Sequence, residues 1–513
     1  MMGSQPLALI NGRIYTMEWP SARAEAILIE SGKITAVGST EEVLSCAPEK
    51  TRFIDLAGRV AIPGFVDSHT HLVSYGLDLR RLDLSTALSL DEALEMVREA
   101  LKERNPSKPL IAVNWDQSLW KDPRIPTVAE LDRVSRRDAI ILRRICGHIA
   151  VANSAALQLL PRTLRKIDWR RGLLFGDAPL DLNEIFPPDT EEIVSGLEKA
   201  MDVALSIGVT SIHDIASLRY YRVYRRLRGE GRLKLRVYVC FKQREMDQIL
   251  KLGILRENGD DWLQVGGIKI FADGSLGART AALSRPYLKS SDMGILKYSF
   301  AELVQIMREV DKYGFQLLIH AIGDQAVGQV LAAYENVLSR GNPLRHRIEH
   351  CEIASRAQIK KIRELGLITC MQPNFVAWQF PGGMYEQMLG ARMRGMANRI
   401  GDMIRASVVV AFGSDCMPFS PVYGLWGAVE HPNSEQRISV ESALKAYTRD
   451  AAYASFGEKV KGSLIPGKMA DLIVLSESVQ ESEDVRKTEI LLTIVNGKIA
   501  YSDSRVSGIA EKS

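Results

Sequence analysis

The chain has 513 residues, 46% of them hydrophobic and 25% charged, with 66 Lys and Arg against 62 Asp and Glu. So much apolar content with a net charge of only +4 excludes a mainly disordered chain. A charge balance this even also excludes the concentrated basic face of an obligate nucleic-acid binder, and no run approaches the ~20 apolar residues of a membrane helix.

The first 60 residues read as short strands with turns at Asn11-Gly12, Ser31-Gly32-Lys33 and Ala57-Gly58. Asn-Gly and Ser-Gly between alternating apolar residues signal hairpins. The start MMGSQPLALINGRIYTMEWP lacks a basic segment followed by a long apolar core, so no signal peptide is expected. The six cysteines (Cys46, Cys146, Cys240, Cys351, Cys370 and Cys416) form no C-x-x-C pair, and several lie in apolar runs. Reduced thiols and a cytoplasmic location are the expectation.

RVAIPGFVDSHTH (59–71) is the first of eight strand candidates. A long stretch, about 72–195, then breaks the rhythm; it is rich in Arg, Pro and Trp and reads as an inserted α/β lobe. The beat resumes with GVTSIHD (208–214), KLRVYVC (234–240), VGGIKIFADG (265–274), FQLLIHAIGD (315–324), HRIEHCE (346–352), LITCMQP (367–373) and SVVVAFGSD (407–415). Amphipathic stretches such as FAELVQIMREVDKYG and SRAQIKKIRELG lie between them. Eightfold strand–helix alternation predicts an α/β fold, a (β/α)8 TIM-like barrel. The C-terminus returns to short strands, and VNGKIAY echoes INGRIYT near the start. One small β-sandwich domain built from both termini is therefore expected, with residues 1–61 and 462–513 flanking a barrel over 62–461.

Chemistry in such a barrel sits at the C-terminal ends of the strands. The first strand ends in His69-Thr-His71, whose i and i+2 imidazoles share a face and suit a divalent metal, although two polar loop residues would read the same. The fifth ends in His320, the sixth in His350 and the eighth in Asp415. Four of the chain's eight histidines at matching strand ends, plus an acid, suit Zn, Mn, Fe or Co. Lys269 lies inside the fourth strand. It is either a snorkelling surface lysine or one modified to a carbamate, since an ammonium has no lone pair for a metal.

These motifs resemble the amidohydrolase superfamily of metal-dependent hydrolases, in the branch that includes N-substituted formamide deformylase. The resemblance is carried by PGFVDSHTH (63–71), WDQSLW (115–120), GHIAVANSAAL (147–157), GIKIFADGSLGARTAAL (267–283), HAIGDQAV (320–327), RIEHCEI (347–353), GSDCMP (413–418) and PGKMADLIVL (466–475), in order along nearly the whole chain. It implies one or two divalent metals, usually zinc, with His69 and His71 on the first, carboxylated Lys269 bridging, and His320 and His350 on the second. Asp415 would hold the attacking water and act as base. His148 and Asn153 match a lobe motif that faces substrate in this branch, with a lobe-core histidine as the alternative for His148. Arg279 lies in the Gly-rich loop after the fourth strand with Asp273 and Ser275; it either holds a substrate carboxylate or is an ordinary exposed arginine. Trp115, Asp116 and Trp120 read as pocket wall or as packing, His213 as structural, and Asp324 as an orienting residue for the strand-5 loop or a ligand imidazole. The run Gly172–Asp177 lacks a Glu that relatives carry, so that contact is absent or shifted to Asp177.

The expected function is hydrolysis of a C–N bond, an amide or cyclic amide, in a small-molecule substrate. A deaminase or ester hydrolase on the same metal frame is the alternative within enzymes, and a non-catalytic binding or regulatory barrel the alternative outside them. Neither nucleic acid nor membrane is an expected partner, and a homodimer is the commonest closed assembly.

Overall fold

The computed structural model describes residues 5–506, apart from 19–22, 104–107, 165, 177, 180, 257, 339–340 and 480–481. It divides into two compact units, one of Met1–Leu72 with Met201–Ser513 and one of Val73–Ala200. Among the described residues no helix is long and apolar enough to cross a membrane.

Eight strands form the parallel sheet of the larger unit, in sequential order. They are barrel strand 1 (Phe65–Thr70), 2 (Val209–Ala216), 3 (Arg236–Lys242), 4 (Leu263–Phe271), 5 (Gln316–Ala321), 6 (Arg347–His350), 7 (Ile368–Met371) and 8 (Val409–Phe412). Nearly all their residues are buried, as expected of strands covered on both faces. The seam between strands 8 and 1 is closed by individual bonds. Ser68 Oγ donates to the Phe412 carbonyl at 2.7 Å, and the Ser414 amide donates to Asp67 Oδ1 at 2.9 Å. The Asp415 amide donates to the His69 carbonyl at 2.8 Å. Gly413 makes this approach possible, because a Cβ there would lie 2.5 Å from the His69 nitrogen.

The predicted first strand is two strands. Val60–Pro63 pairs with Leu472–Leu475, and only Phe65–Thr70 enters the barrel. The break falls at Gly64, where a Cβ would meet the Thr210 side chain at 2.3 Å.

Both termini build the sandwich. One sheet runs Lys33–Gly38, Ala26–Glu30, Leu7–Ile10, Arg52–Asp55. The other runs Lys498–Ser502, Ile490–Val495, Leu472–Leu475, Val60–Pro63, Arg13–Tyr15, Arg23–Ala24. Leu9, Ile27 and Ile29 from the first sheet share one apolar core with Ile14, Ala61, Leu472 and Ile494 from the second. Ser31-Gly32 and Asn496-Gly497 are hairpin turns, with left-handed backbone at both residues of each. Asn11-Gly12 and Ala57-Gly58 are not: the strands they join lie in different sheets. The Gly58 amide donates to the Asn11 carbonyl at 2.7 Å, so the two turns brace one corner where the chain changes sheet.

The smaller unit has its own six-stranded sheet, including Leu110–Trp115, Ile140–Arg144 and Ile149–Ala152. Trp115 and Trp120 stack at 5.7 Å within its core, with Trp120 Nε1 donating to the Ala87 carbonyl at 3.1 Å. They pack the lobe, and Asp116 caps the short helix at Gln117–Leu119 and pairs with Arg144 at 3.2 Å.

Candidate active site

The strand ends converge as a barrel requires. One ligand atom each from His69, His350 and Asp415 lies within 4.8 Å of the others, a grouping able to hold a metal ion. His71, just past the end of strand 1, places Nε2 3.3 Å from Asp415 Oδ1, and His69 Nε2 lies 3.8 Å from the same oxygen. The His320 ring meets the His350 ring edge-on at 4.6 Å. His320 Nε2 donates to the Gly274 carbonyl at 2.9 Å. Lys269 is buried on strand 4, 5.0 Å above the Phe271 ring, and its Nζ has no hydrogen-bond partner among the described residues. The snorkelling alternative for Lys269 is thereby excluded.

Electrostatics follow from burial. It holds His69 and His350 well below the usual imidazole range, where both are neutral and able to donate a lone pair. Burial also pushes the Lys269 ammonium down to about 8, although Glu349 and Asp415 pull the other way. Burial opposes ionisation of Asp415, but the hydrogen bond from His71 and the positive charge of Lys269 help to outweigh it and set the carboxyl at about 2. Asp415 and His350 both have left-handed backbone, φ 53° and 70°. Non-glycine residues hold that conformation where surrounding bonds over-determine it; at Asp415 the bond to the His69 carbonyl does so.

A divalent cation fits these residues. His69 Nε2 and Lys269 Nζ are buried polar atoms without partners among the described residues, and neutral imidazoles beside a carboxylate are its usual donors.

Several surrounding residues carry no signal in the reading of motifs alone. Glu349, buried on strand 6, accepts from His69 Nδ1 and is gripped by Arg347 through Nε at 2.7 Å. Gln372 Oε1 accepts from His350 Nδ1 at 2.6 Å. A legible trace was the run Arg347-Ile348-Glu349-His350, three polar residues in a strand otherwise expected to be apolar. His213 is structural: its Nδ1 accepts from Arg347 at 2.9 Å inside the barrel.

Asp273 is buried and ties the loop after strand 4 to that after strand 5, accepting from the amides of Ala282, Ile322 and Gly323. Asp324 holds the same pair of loops, accepting from the Ser284 amide at 2.8 Å. Arg279 is exposed on the first of these loops, with its Nε 3.4 Å from the Met388 sulfur.

Asn153 corrects the sequence reading. It is fully buried, its Oδ1 accepts from the amides of Ala156 and Ile140, and its Nδ2 donates to the carbonyls of Ser135 and Asp138. An amide can hardly be more fully engaged, so it braces the lobe and offers nothing to a substrate. His148 donates Nδ1–H to the Gly176 carbonyl at 3.0 Å within the same lobe. Asp177 lies outside the described residues.

A parallel barrel whose strand ends gather imidazoles, a carboxylate and a buried lysine has the architecture of a hydrolase. Residues 52–501 match the model of the amidohydrolase family, and the chain belongs to that family. It is 30% identical to YtcJ of Bacillus subtilis (strain 168), placed among the amidohydrolases by its name, over 96% of this chain and 99% of that one. It is 26% identical to the N-substituted formamide deformylase of Arthrobacter pascens, over 98% of this chain and 99% of that one. Among solved structures, an uncharacterized metal-dependent hydrolase from Pyrococcus furiosus superposes with a TM-score of 0.80 at 28% identity, covering 93% of this chain and all of that one.

Proposed function

We propose that the protein is a metal-dependent hydrolase that cleaves a C–N bond, an amide or cyclic amide, of a small molecule. The observation that carries this is the convergence of His69, His350 and Asp415 around a buried histidine nitrogen that has no partner among the described residues. The similarity to a formamide deformylase supports the bond type.

His69, His71, His320 and His350 would hold one or two divalent ions, zinc by preference, with Lys269 bridging as a carbamate. Carbamate formation needs the neutral amine, and a lysine lowered to about 8 supplies it more readily than an exposed one. A divalent ion there would acidify water and polarise a scissile carbonyl. The protein's own part is proton handling. Asp415, ionised throughout the neutral range, accepts the proton of the attacking water on its carboxylate. It then delivers that proton to the departing nitrogen, so the amine leaves neutral. Arg279, exposed on the loop after strand 4, would recognise a substrate anion.

The test is purified protein carrying Asp415→Asn. The variant should keep its thermal stability and lose roughly 10²–10⁴-fold in kcat per bound metal ion, the span of a general base. Full activity would exclude the base. Product analysis fixes the bond: a free carboxylate plus an amine marks amide cleavage, and released ammonia marks deamination.

A further inference from the structure

The barrel interior beneath the metal ligands holds charges that the reaction does not use. Arg347 and Glu349, two residues apart on strand 6, are both fully buried. Arg347 reaches Glu349 Oε1 through Nε at 2.7 Å and Oε2 through Nη2 at 3.1 Å. Its Nη2 also donates to the Ser68 carbonyl at 3.0 Å and its Nη1 to His213 Nδ1 at 2.9 Å. Glu349 Oε2 in turn meets His69 Nδ1. Burying two charges is costly unless each is matched and hydrogen-bonded, and here each is. His69, Glu349 and Cys370 also lie close enough to resemble a second metal triad. Arg347 already occupies that carboxylate, and a cation beside a guanidinium would be repelled.

The pair has a stereochemical consequence. An ionised carboxylate only accepts, so at Oε2 it accepts a hydrogen bond from His69 Nδ1–H. The neutral imidazole has one N–H, so Nε2 is left with the lone pair. Nε2 is the buried atom without a partner among the described residues, 3.8 Å from Asp415 Oδ1. We propose that Glu349, clamped by Arg347, is a positioning residue that fixes His69 as the Nδ1–H tautomer and so dictates Nε2 as its metal-binding nitrogen. The role in metal binding rests on the metal reading above; the tautomer does not.

Glu349→Gln separates this role from a mere ion pair. Its amide oxygen would turn to the closer guanidinium nitrogen and its NH2 to His69, forcing Nδ1 to accept and Nε2 to carry the proton. The experiment uses the metal-free full chain labelled with 15N-histidine, with two-bond N–H correlation spectra at neutral pH and a His69→Gln variant to assign the signal. The wild type should show Nδ1–H at His69, and Glu349→Gln should show Nε2–H. A competition titration with Zn2+ should give affinity about 10–100-fold weaker for Glu349→Gln. A wild-type spectrum with Nε2–H overturns the proposal even if the variant fails to fold. An unchanged tautomer in the variant, or unchanged Zn2+ affinity, overturns it as well. If the wild type binds no Zn2+ yet shows Nδ1–H, the metal reading fails and the tautomer assignment stands.

Discussion

Asn153 and Glu349 show why residue roles depend on neighbours rather than type. Asn153 sits in a motif associated with substrate, yet all its polar atoms serve the lobe backbone. Asn153→Ala should therefore cost about 1–3 kcal/mol of stability, the range for a lost cap and a stranded buried amide. Its kcat/KM should stay at the wild-type value. Denaturant unfolding beside steady-state kinetics checks this, and unchanged stability with a raised KM would return Asn153 to the substrate. Glu349 is the converse case, a residue with no evident catalytic chemistry whose position fixes that of a ligand. The convergence of His69, His350 and Asp415 was legible, because side chains at the C-terminal ends of parallel barrel strands gather at one mouth.

At the scale of elements, the barrel's strands were readable from their apolar runs, but their ends and closure were not. Gly64 divides one apolar run between two sheets because a side chain there would collide with Thr210. Two of the four Gly-containing turns change sheet instead of reversing a hairpin, a difference decided by which strand each edge meets. Gly413 is the closing point of the barrel. Gly413→Ala would set a methyl 2.5 Å from the His69 backbone, with no flexible side chain to yield. The expected cost is on the order of 1–3 kcal/mol, the usual range for overpacking, together with weaker Zn2+ retention, since His69 and Asp415 lie on either side of the seam. Thermal unfolding and Zn2+ titration measure the two effects; a variant unchanged in both would show that the seam tolerates separation.

For the whole molecule, the ends of the chain are tied to the barrel by a buried ion pair. Arg236 on strand 3 donates from Nη2 to Asp471 Oδ1 at 3.0 Å, and Asp471 immediately precedes the sandwich strand Leu472–Leu475. Asp471 also accepts from the Asn496 amide at 2.8 Å in the terminal hairpin. Asp471→Ala would leave a buried guanidinium without its counter-charge, which typically costs about 3–5 kcal/mol. Urea unfolding of the full chain should show that loss. A loss below ~1 kcal/mol, the scale of an exposed pair, would mean that the sandwich and barrel are not coupled through this contact.

From the sequence alone came the eight-strand beat, the inserted lobe, the sharing of one small β domain by both termini, and the set of histidines, lysine and aspartate at the strand ends. These follow from periodicities and local propensities, which act over a few residues and are written in their order. The tertiary structure alone decided which runs divide between sheets, which asparagine is spent on a scaffold, and which carboxylate turns a ring nitrogen toward the site. Those outcomes depend on particular atoms meeting in space, some near in the chain, as around Asn153, and some hundreds of positions apart, as His69 and Glu349 are. No pattern along the chain encodes such an encounter until packing has fixed the distance.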